Sequence, residues 1–400
     1  MPHTTDWTQV CLIIIAGIIG ACQIGKLAIA VPMLQVDLGL SLVTISWVAG
    51  AYALLGVIGG FATGYLVSFF RTRAVVITGL LAIALGSFIG AAATGAPVLI
   101  ASRVLEGAGF LAMVVACPPL LRSAVTPGHQ QVVFAFWSAY IPIGALAMMV
   151  AGPFIMQGDW RVLWIFNGSL ATLHALVLLG VGGRSSQAIA RPARLSPRAA
   201  WDALRAPIPL LLALCFALYT IQYFALATFL PTFLIERLDL SLATAGAFSA
   251  AILTANAVGN IGAGLVLRAG VSLTVILAGV FGVVGVTGFA IFSPAMPAAL
   301  LAVAAIACMG FAALLPASVI ASMPRFAPGA TQLMLALGLV QQASSIGQLA
   351  GPALFAVWVE RFGWAHIYPL FALIGLTGLV LVATLRRATA KEALTGATRA

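Results

Sequence analysis

Apolar stretches long enough to cross a lipid bilayer follow one another along almost the whole chain. Between charged, proline-rich or polar breaks there are twelve, at residues 10–34, 43–69, 74–94, 97–121, 131–156, 161–183, 208–234, 242–266, 272–292, 297–320, 331–356 and 364–385. Each has the roughly 20–25 residues that a helix needs to span ~30 Å of hydrocarbon. A helix is the form expected, because it satisfies its own backbone hydrogen bonds where water is absent. The charge content agrees: 62% of the 400 residues are hydrophobic and 7% are charged, where a soluble surface requires about a quarter. A water-soluble globule and a disordered chain are both excluded. The first stretch has no basic leader segment and is too long for a signal peptide, so it reads as a spanning helix.

The net charge of +10 would suggest nucleic-acid binding in a soluble protein, but the basic residues here are scattered between apolar runs and make no clustered face. They sort instead by loop. Arg71, Arg73, Arg122, the arginines from Arg184 to Arg205, Arg268, Arg325, Arg386, Arg387, Lys391 and Arg399 fall on one side, and Arg161, Arg237 and Arg361 on the other. The excess of Lys and Arg on cytoplasmic loops predicts a multi-pass protein of the plasma (bacterial inner) membrane with both termini cytoplasmic. Cys11, Cys22, Cys117, Cys215 and Cys308 lie inside apolar runs at no metal-like spacing. They read as small core residues, with neither disulfide, metal nor cofactor implied.

The longest interior loop, "RSSQAIARPARLSPRAAWDALRAP" from Arg184 to Pro207, predicts a basic linker with a short interfacial helix around Trp201. It separates an N-terminal bundle (1–183) from a C-terminal bundle (208–385), followed by a tail (386–400). The halves echo each other at a shift close to 200: Leu38, Leu40, Ser41, Leu42 and Thr44 recur as Leu238, Leu240, Ser241, Leu242 and Thr244, and Gly152-Pro153 recurs as Gly351-Pro352. Repeated halves in a helical membrane protein point to a transporter whose site lies between them, complete within one chain and hence functional as a monomer. The Gly-Pro pairs are read as hinges or as smooth helix turns.

Four segments in order carry a family resemblance: "AIAVPMLQVDLGLS" from Ala28, "RVLEGAG" from Arg103, "GALAMMVAGP" from Gly144 and "GDWRVLWIFN" from Gly158. Together they resemble the major facilitator superfamily over nearly the whole chain, and the first resembles its drug/proton antiporter branches. The resemblance implies an all-α membrane fold of twelve helices in two pseudo-symmetric six-helix bundles, with helices 1, 4 and 7 lining a central cavity. It assigns gating or structural roles to Gly64, Arg71, Arg73, Gly152, Pro153, Asp159, Arg161, Gly351 and Pro352. The loop after helix 2, "GYLVSFFRTR", departs from the family's pattern, with Ser68 in place of its Asp and Arg71 in place of a glycine. Helix 1 carries Gln23 and Lys26 where those antiporters often carry an acid.

Charges at membrane depth cost about 2.5–3.5 kcal/mol each and are tolerated where paired or facing a cavity. There are three, Lys26, Arg103 and Glu106, all in one layer. They read as a cluster of net charge +1 with one cation free for an anionic substrate; the alternative is a satisfied Arg103–Glu106 pair three residues apart. Glu106, the acid within the spans, is the candidate for proton coupling. Neutral candidates for substrate binding are Gln23, Tyr140, Tyr219, Gln222, Tyr223, Asn256, Gln341, Gln342 and Ser345, with interhelical hydrogen bonding as the competing role. His174 reads as structural, and Trp160, Trp164, Trp358 and Trp364 as aromatic-belt residues. No catalytic constellation or phosphate loop is present. The expectation is a secondary transporter for a small organic solute, preferably an anion and driven by protons. A multidrug/proton antiporter is the alternative, and an intramembrane enzyme or channel the distant one.

Overall fold

A computed structural model describes residues 4–67, 70–181, 201, 205–327 and 330–397. Regular structure among the described residues is helical: α1 (Trp7–Leu38), α2 (Leu42–Ala51), α3 (Leu54–Val67), α4 (Thr72–Ala91), α5 (Ala96–Ala124), α6 (Gln130–Ser138), α7 (Tyr140–Met156), α8 (Trp160–Gly180), α9 (Pro207–Leu238), α10 (Leu242–Arg268), α11 (Leu273–Phe292), α12 (Ala298–Ala312), α13 (Leu314–Phe326), α14 (Ala330–Phe362) and α15 (Tyr368–Ala397). Among the described residues, ten stretches are each long and apolar enough to cross a membrane, counting α12–α13 as one. Two bent pairs, α2 with α3 and α6 with α7, raise the number to twelve. Ser68, most of the linker expected at 184–207 and Arg399 lie outside the described residues. What is seen of the linker is its far end, where the Arg205 guanidinium stacks 4.3 Å from the Trp201 ring.

Three spans that read as single helices are interrupted, and two of the interruptions follow from proline. α6 and α7 part at Ala139, three residues before Pro142, and α12 and α13 part at Ala313, three residues before Pro316. Proline has no N–H for the carbonyl four residues earlier, and its ring crowds that carbonyl. The third interruption, a 46° bend between α2 and α3, contains no proline. There the Ala53 N–H bonds the Gly50 carbonyl at 2.8 Å, a tightening to the i→i+3 pattern, and the Tyr52 hydroxyl donates to the Gly20 carbonyl of α1 at 2.8 Å. By contrast α7 runs unbroken through Gly152-Pro153 and α14 through Gly351-Pro352. Both glycines are points of close approach: a Cβ on Gly152 would lie 2.9 Å from Ile29, and one on Gly351 would strike the Ile221 backbone.

The internal repeat is carried into the caps. α1 and α9 are both 32 residues long and end on left-handed residues, Gly39 at φ 62° and Asp239 at φ 52°. The helices that follow begin behind Ser41 and Ser241, whose hydroxyls accept from the Thr44 and Thr244 amides at 3.1 and 3.2 Å, satisfying donors that a helix start leaves free.

α1 and α9 pack against each other at the centre, and each is buried on every side over much of its length, from Ile19 to Val31 and from Gln222 to Leu234. The seam between the halves is tight from the face opposite the chain ends inward. The Val43 amide donates to Glu360 at 2.9 Å, Gly50 abuts Leu349, Gly56 abuts Ser345, and a Cβ on Gly60 would sit 3.3 Å from the Gln342 Cβ. On that same face Arg161 pairs with Asp37 at 2.7 Å and Asp159 caps α8 through the Arg161 amide at 2.9 Å. At the other face Arg73 donates to the Leu178 and Val181 carbonyls, while Arg71 is exposed ahead of α4. Gly64 lies within α3.

Two expectations are corrected here. Residues 386–397, placed in the tail, continue α15 as helix, since "RRATAKEALTGA" is rich in good helix formers and nothing interrupts it. Trp160 and Trp164 are not belt residues; both are fully buried between helices. Cys11 is exposed, unlike the other four cysteines, because it sits on the first turns of α1 where the chain leaves the packed centre.

Candidate functional site

The three intramembrane charges converge because small residues let their helices approach. On α4, Gly86 and Gly90 face α5 and α8 so closely that an added Cβ would lie 2.7 Å from Glu106 and 2.6 Å from Trp164. On α5, Gly107 meets the Tyr52 backbone at the α2–α3 bend and Gly109 meets the Gly79 backbone of α4. These contacts bring α1, α4, α5 and α8 around one carboxylate.

Glu106 is the centre of that cluster. Its Oε1 accepts from Lys26 Nζ at 2.6 Å and from the Ser87 hydroxyl at 2.7 Å, and its Oε2 accepts from Arg103 at 2.5 Å. Lys26 also donates to Ser87 at 2.9 Å and lies 4.7 Å from the centre of the Trp164 ring. Gln23 extends the network to Asn167 at 3.5 Å, which is itself fixed to the Leu163 carbonyl at 2.9 Å. All three charged side chains are essentially inaccessible. The expectation that one cation stands free of the acid is therefore wrong: the carboxylate has two oxygens and gives one to each cation. The net charge of the trio is still +1, buried where hydration cannot offset it.

The two cations differ in what else they face. Lys26 is enclosed within the N-terminal bundle. Arg103 lies 4.4 Å over the Tyr52 ring and borders a small cavity of about 10 Å³ between the halves, shared with Leu27, Phe224, Thr228, Gln348 and Pro352. That volume holds about one water, so the two halves are closed down on Arg103. Its Nε is buried and has no hydrogen-bond partner among the described residues. An arginine fork with an idle N–H at the seam is suited to receive an oxyanion.

The other candidates fall into two further groups. On the C-terminal side Tyr219 and Tyr223 stack with ring centres 5.7 Å apart, and Asn256 donates to the Met309 carbonyl at 3.0 Å and toward the Tyr219 hydroxyl at 3.5 Å. Gln222 donates to Cys308 Sγ at 3.4 Å. The Tyr223 hydroxyl and the Gln222 carbonyl oxygen are buried without partners among the described residues. Along the seam, Gln342 donates to the Val57 carbonyl of the opposite half at 2.9 Å, and Ser345 donates to the backbone carbonyl of Gln341 at 3.1 Å while facing Gly56. Tyr140 stacks on Trp137 at 4.5 Å. His174 is engaged by the Leu12 carbonyl at 2.8 Å.

Ser87 and Asn167 are site residues that the sequence reading does not single out, and Trp164 is one that it places only in the aromatic belt. A lone serine in an apolar helix looks like any other; the signal for Ser87 is its place between Gly86 and Gly90, the spacing of a close-packed helix face. Trp164 and Asn167 are three apart on α8 and so share the face turned to α1.

Residues 13–313 match the profile of the Major Facilitator Superfamily. The chain belongs to this superfamily. Within it, the chain is 29% identical over 179 residues to the puromycin resistance protein pur8 of Streptomyces alboniger, covering 44% of this chain and 35% of that one. It is 23% identical over 189 residues to a probable actinorhodin transporter of Streptomyces coelicolor, covering 45% and 33%. The chain thus spans about a third of the length of these curated relatives. A crystal structure of the nucleoside transporter NupG superposes with a TM-score of 0.77 over 94% of this chain and 99% of that one at 14% identity, a likeness of fold.

Proposed function

We propose that the protein is a secondary active transporter that moves a small organic anion across the membrane by alternating access, with Arg103 as the substrate contact. The observation that carries this reading is Arg103 itself: the member of a buried +1 cluster that borders the seam, with Nε idle. Lys26 and Ser87 act as positioning residues, holding Glu106 so that Arg103 is aimed at the seam. The test is uptake or counterflow of labelled carboxylates in proteoliposomes. Wild-type protein shows saturable transport, and Arg103→Lys, which keeps the charge but loses the fork, transports at least tenfold less. Equal transport by Arg103→Lys removes Arg103 from the site.

Proton coupling belongs to Glu106 in this proposal, because a carboxylate shared by two cations can take a proton when one of them is drawn to substrate. The double variant Lys26→Gln/Glu106→Gln keeps the cluster at +1 on Arg103. It binds substrate but does not accumulate it against a gradient when a pH difference is imposed. Persistent pH-driven accumulation would refute the role. The proposal includes a bacterial inner membrane location, both termini cytoplasmic and a functional monomer.

A second reading, export of amphipathic antibiotics, is favoured by the resistance and transporter relatives. Thermal stabilisation separates the two: carboxylates stabilise the first, lipophilic cations or neutral drugs the second.

A further inference from the structure

We propose a second ligand site, away from the seam between the halves: a groove on the outside of the C-terminal bundle that holds one anionic glycerophospholipid, its phosphate on Arg386 and Arg387 and an acyl chain below. The groove lies between the start of α11 and the later turns of α15 and has a volume of about 720 Å³. The two helices touch backbone to backbone deeper in the bundle, where a Cβ on Gly375 would lie 2.8 Å from the Gly285 Cα, and they part toward the face of the chain ends. At that end Arg386, Arg387, Ser272 and Thr274 line the opening. Both arginines are exposed, and neither is in an ion pair among the described residues. Ala383 and Ala390, a turn to either side of them on the same helix face, leave the space in front of the guanidiniums open.

The internal repeat offers a counterpart between α4 and α8, where Val76, Leu178 and Val181 line a cavity as Val275, Leu379 and Val382 line the groove. In that first half Arg73 reaches across to the Leu178 and Val181 carbonyls, α8 ends at Gly180, and about 20 Å³ is left. In the second half Leu273 stands 200 residues on from Arg73, so that bridge is lost. α15 instead runs on to Ala397 and carries two arginines of its own past Val382. The same helix pair is thus sealed by the chain's own carbonyls in one half, and is open and cationic in the other.

The polarity of the groove selects its occupant. Guanidinium groups bind phosphate oxygens through paired N–H donors, and the two hydroxyls add further donors. Leu379 lies seven residues before Arg386, roughly 10 Å toward the membrane centre at 1.5 Å per residue. Like Val275 it is exposed, so the cationic end continues into an apolar floor that matches an acyl chain. A soluble phosphate would use the upper part alone, and a zwitterionic lipid would bring a cation toward the arginines.

The test is native mass spectrometry of the full chain in detergent, titrated with phosphatidylglycerol, phosphatidylcholine or glycerol 3-phosphate. One phosphatidylglycerol is expected to bind saturably and more tightly than phosphatidylcholine, and glycerol 3-phosphate should not displace it. An arginine facing anionic lipid contributes about fivefold in affinity, so Arg386→Gln/Arg387→Gln should weaken phosphatidylglycerol binding by about 25-fold. Arg122→Gln/Arg325→Gln removes two exposed arginines of the same face outside the groove and should leave binding within about twofold. Ala383→Phe fills the groove while keeping both charges, and should also weaken binding with little change in unfolding temperature. Equal binding of the two lipids, equal losses in the two double variants, or full binding by Ala383→Phe would each replace the site with diffuse attraction of lipid to a basic face. Displacement by glycerol 3-phosphate would mean a soluble phosphate ligand in place of a lipid. None of these outcomes depends on the anion reading of Arg103.

Discussion

At the residue scale the molecule concentrates its intramembrane charge on one carboxylate, and the consequence is testable by asking what each partner leaves behind. Removing one member of a buried ion pair strands the other at a cost of about 3–5 kcal/mol, while replacing both can be nearly neutral. Glu106→Gln leaves Lys26 and Arg103 facing each other across a neutral amide, so it is expected to lower the unfolding temperature in detergent strongly. Adding Lys26→Gln recovers most of the loss, because only Arg103 then carries charge. If the double variant is no more stable than the single one, Glu106 does not bridge the two cations. The identity of these residues was legible in the sequence because charge is so rare in apolar spans. Which cation faces the seam was not: helices apolar all round carry no amphipathic pattern, so the rotation that encloses Lys26 and turns Arg103 to Phe224 is set by packing alone.

At the scale of the element, legibility divides by mechanism. Spans, caps and the repeat at about 200 residues follow from local chemistry, as do the breaks three residues ahead of Pro142 and Pro316. The bend at Tyr52 does not, because its contacts are with other helices: its hydroxyl is tied to Gly20 of α1, and α5 comes close through Gly107, where an added Cβ would strike the Tyr52 carbonyl. Gly107→Ala must therefore push α5 from the bend and loosen the grip of Tyr52 on Arg103. Overpacking of this kind costs about 1–3 kcal/mol, and both stability and carboxylate binding should fall. Gly282→Ala on α11 is the control, since an added Cβ there meets nothing within 4 Å; with Ala the better helix former by about 1 kcal/mol, its unfolding temperature should stay level or rise. Parallel thermal melts of the two variants decide it, and equal effects would mean that the close approach at Tyr52 does not limit the residue at 107.

At the scale of the whole molecule, the two bundles are joined by a seam tightest on the face away from the chain ends, built from backbone-close glycines on α2 and α3 set against α14. A repeat in sequence announces two bundles, but which end of the seam is shut is a property of one conformational state and is not written in any local pattern. Alternating access, as proposed for this chain, requires that this seam open, which gives a prediction about thiol labelling. Thr228 is buried beside Arg103 at the small cavity, so Thr228→Cys should resist a membrane-impermeant maleimide applied from the face opposite the chain ends. Gly56→Leu cannot close against Ser345, whose side chain already fills the space of a single added Cβ, and in that background the same cysteine should become labelled from that face. Native Cys11, the exposed cysteine near the start of α1, serves as the reference for sidedness: it should react from the face of the chain ends alone, in inside-out vesicles if that face is cytoplasmic. Labelling of Thr228→Cys that is equal with and without Gly56→Leu would show that the α3–α14 contact does not control access to Arg103.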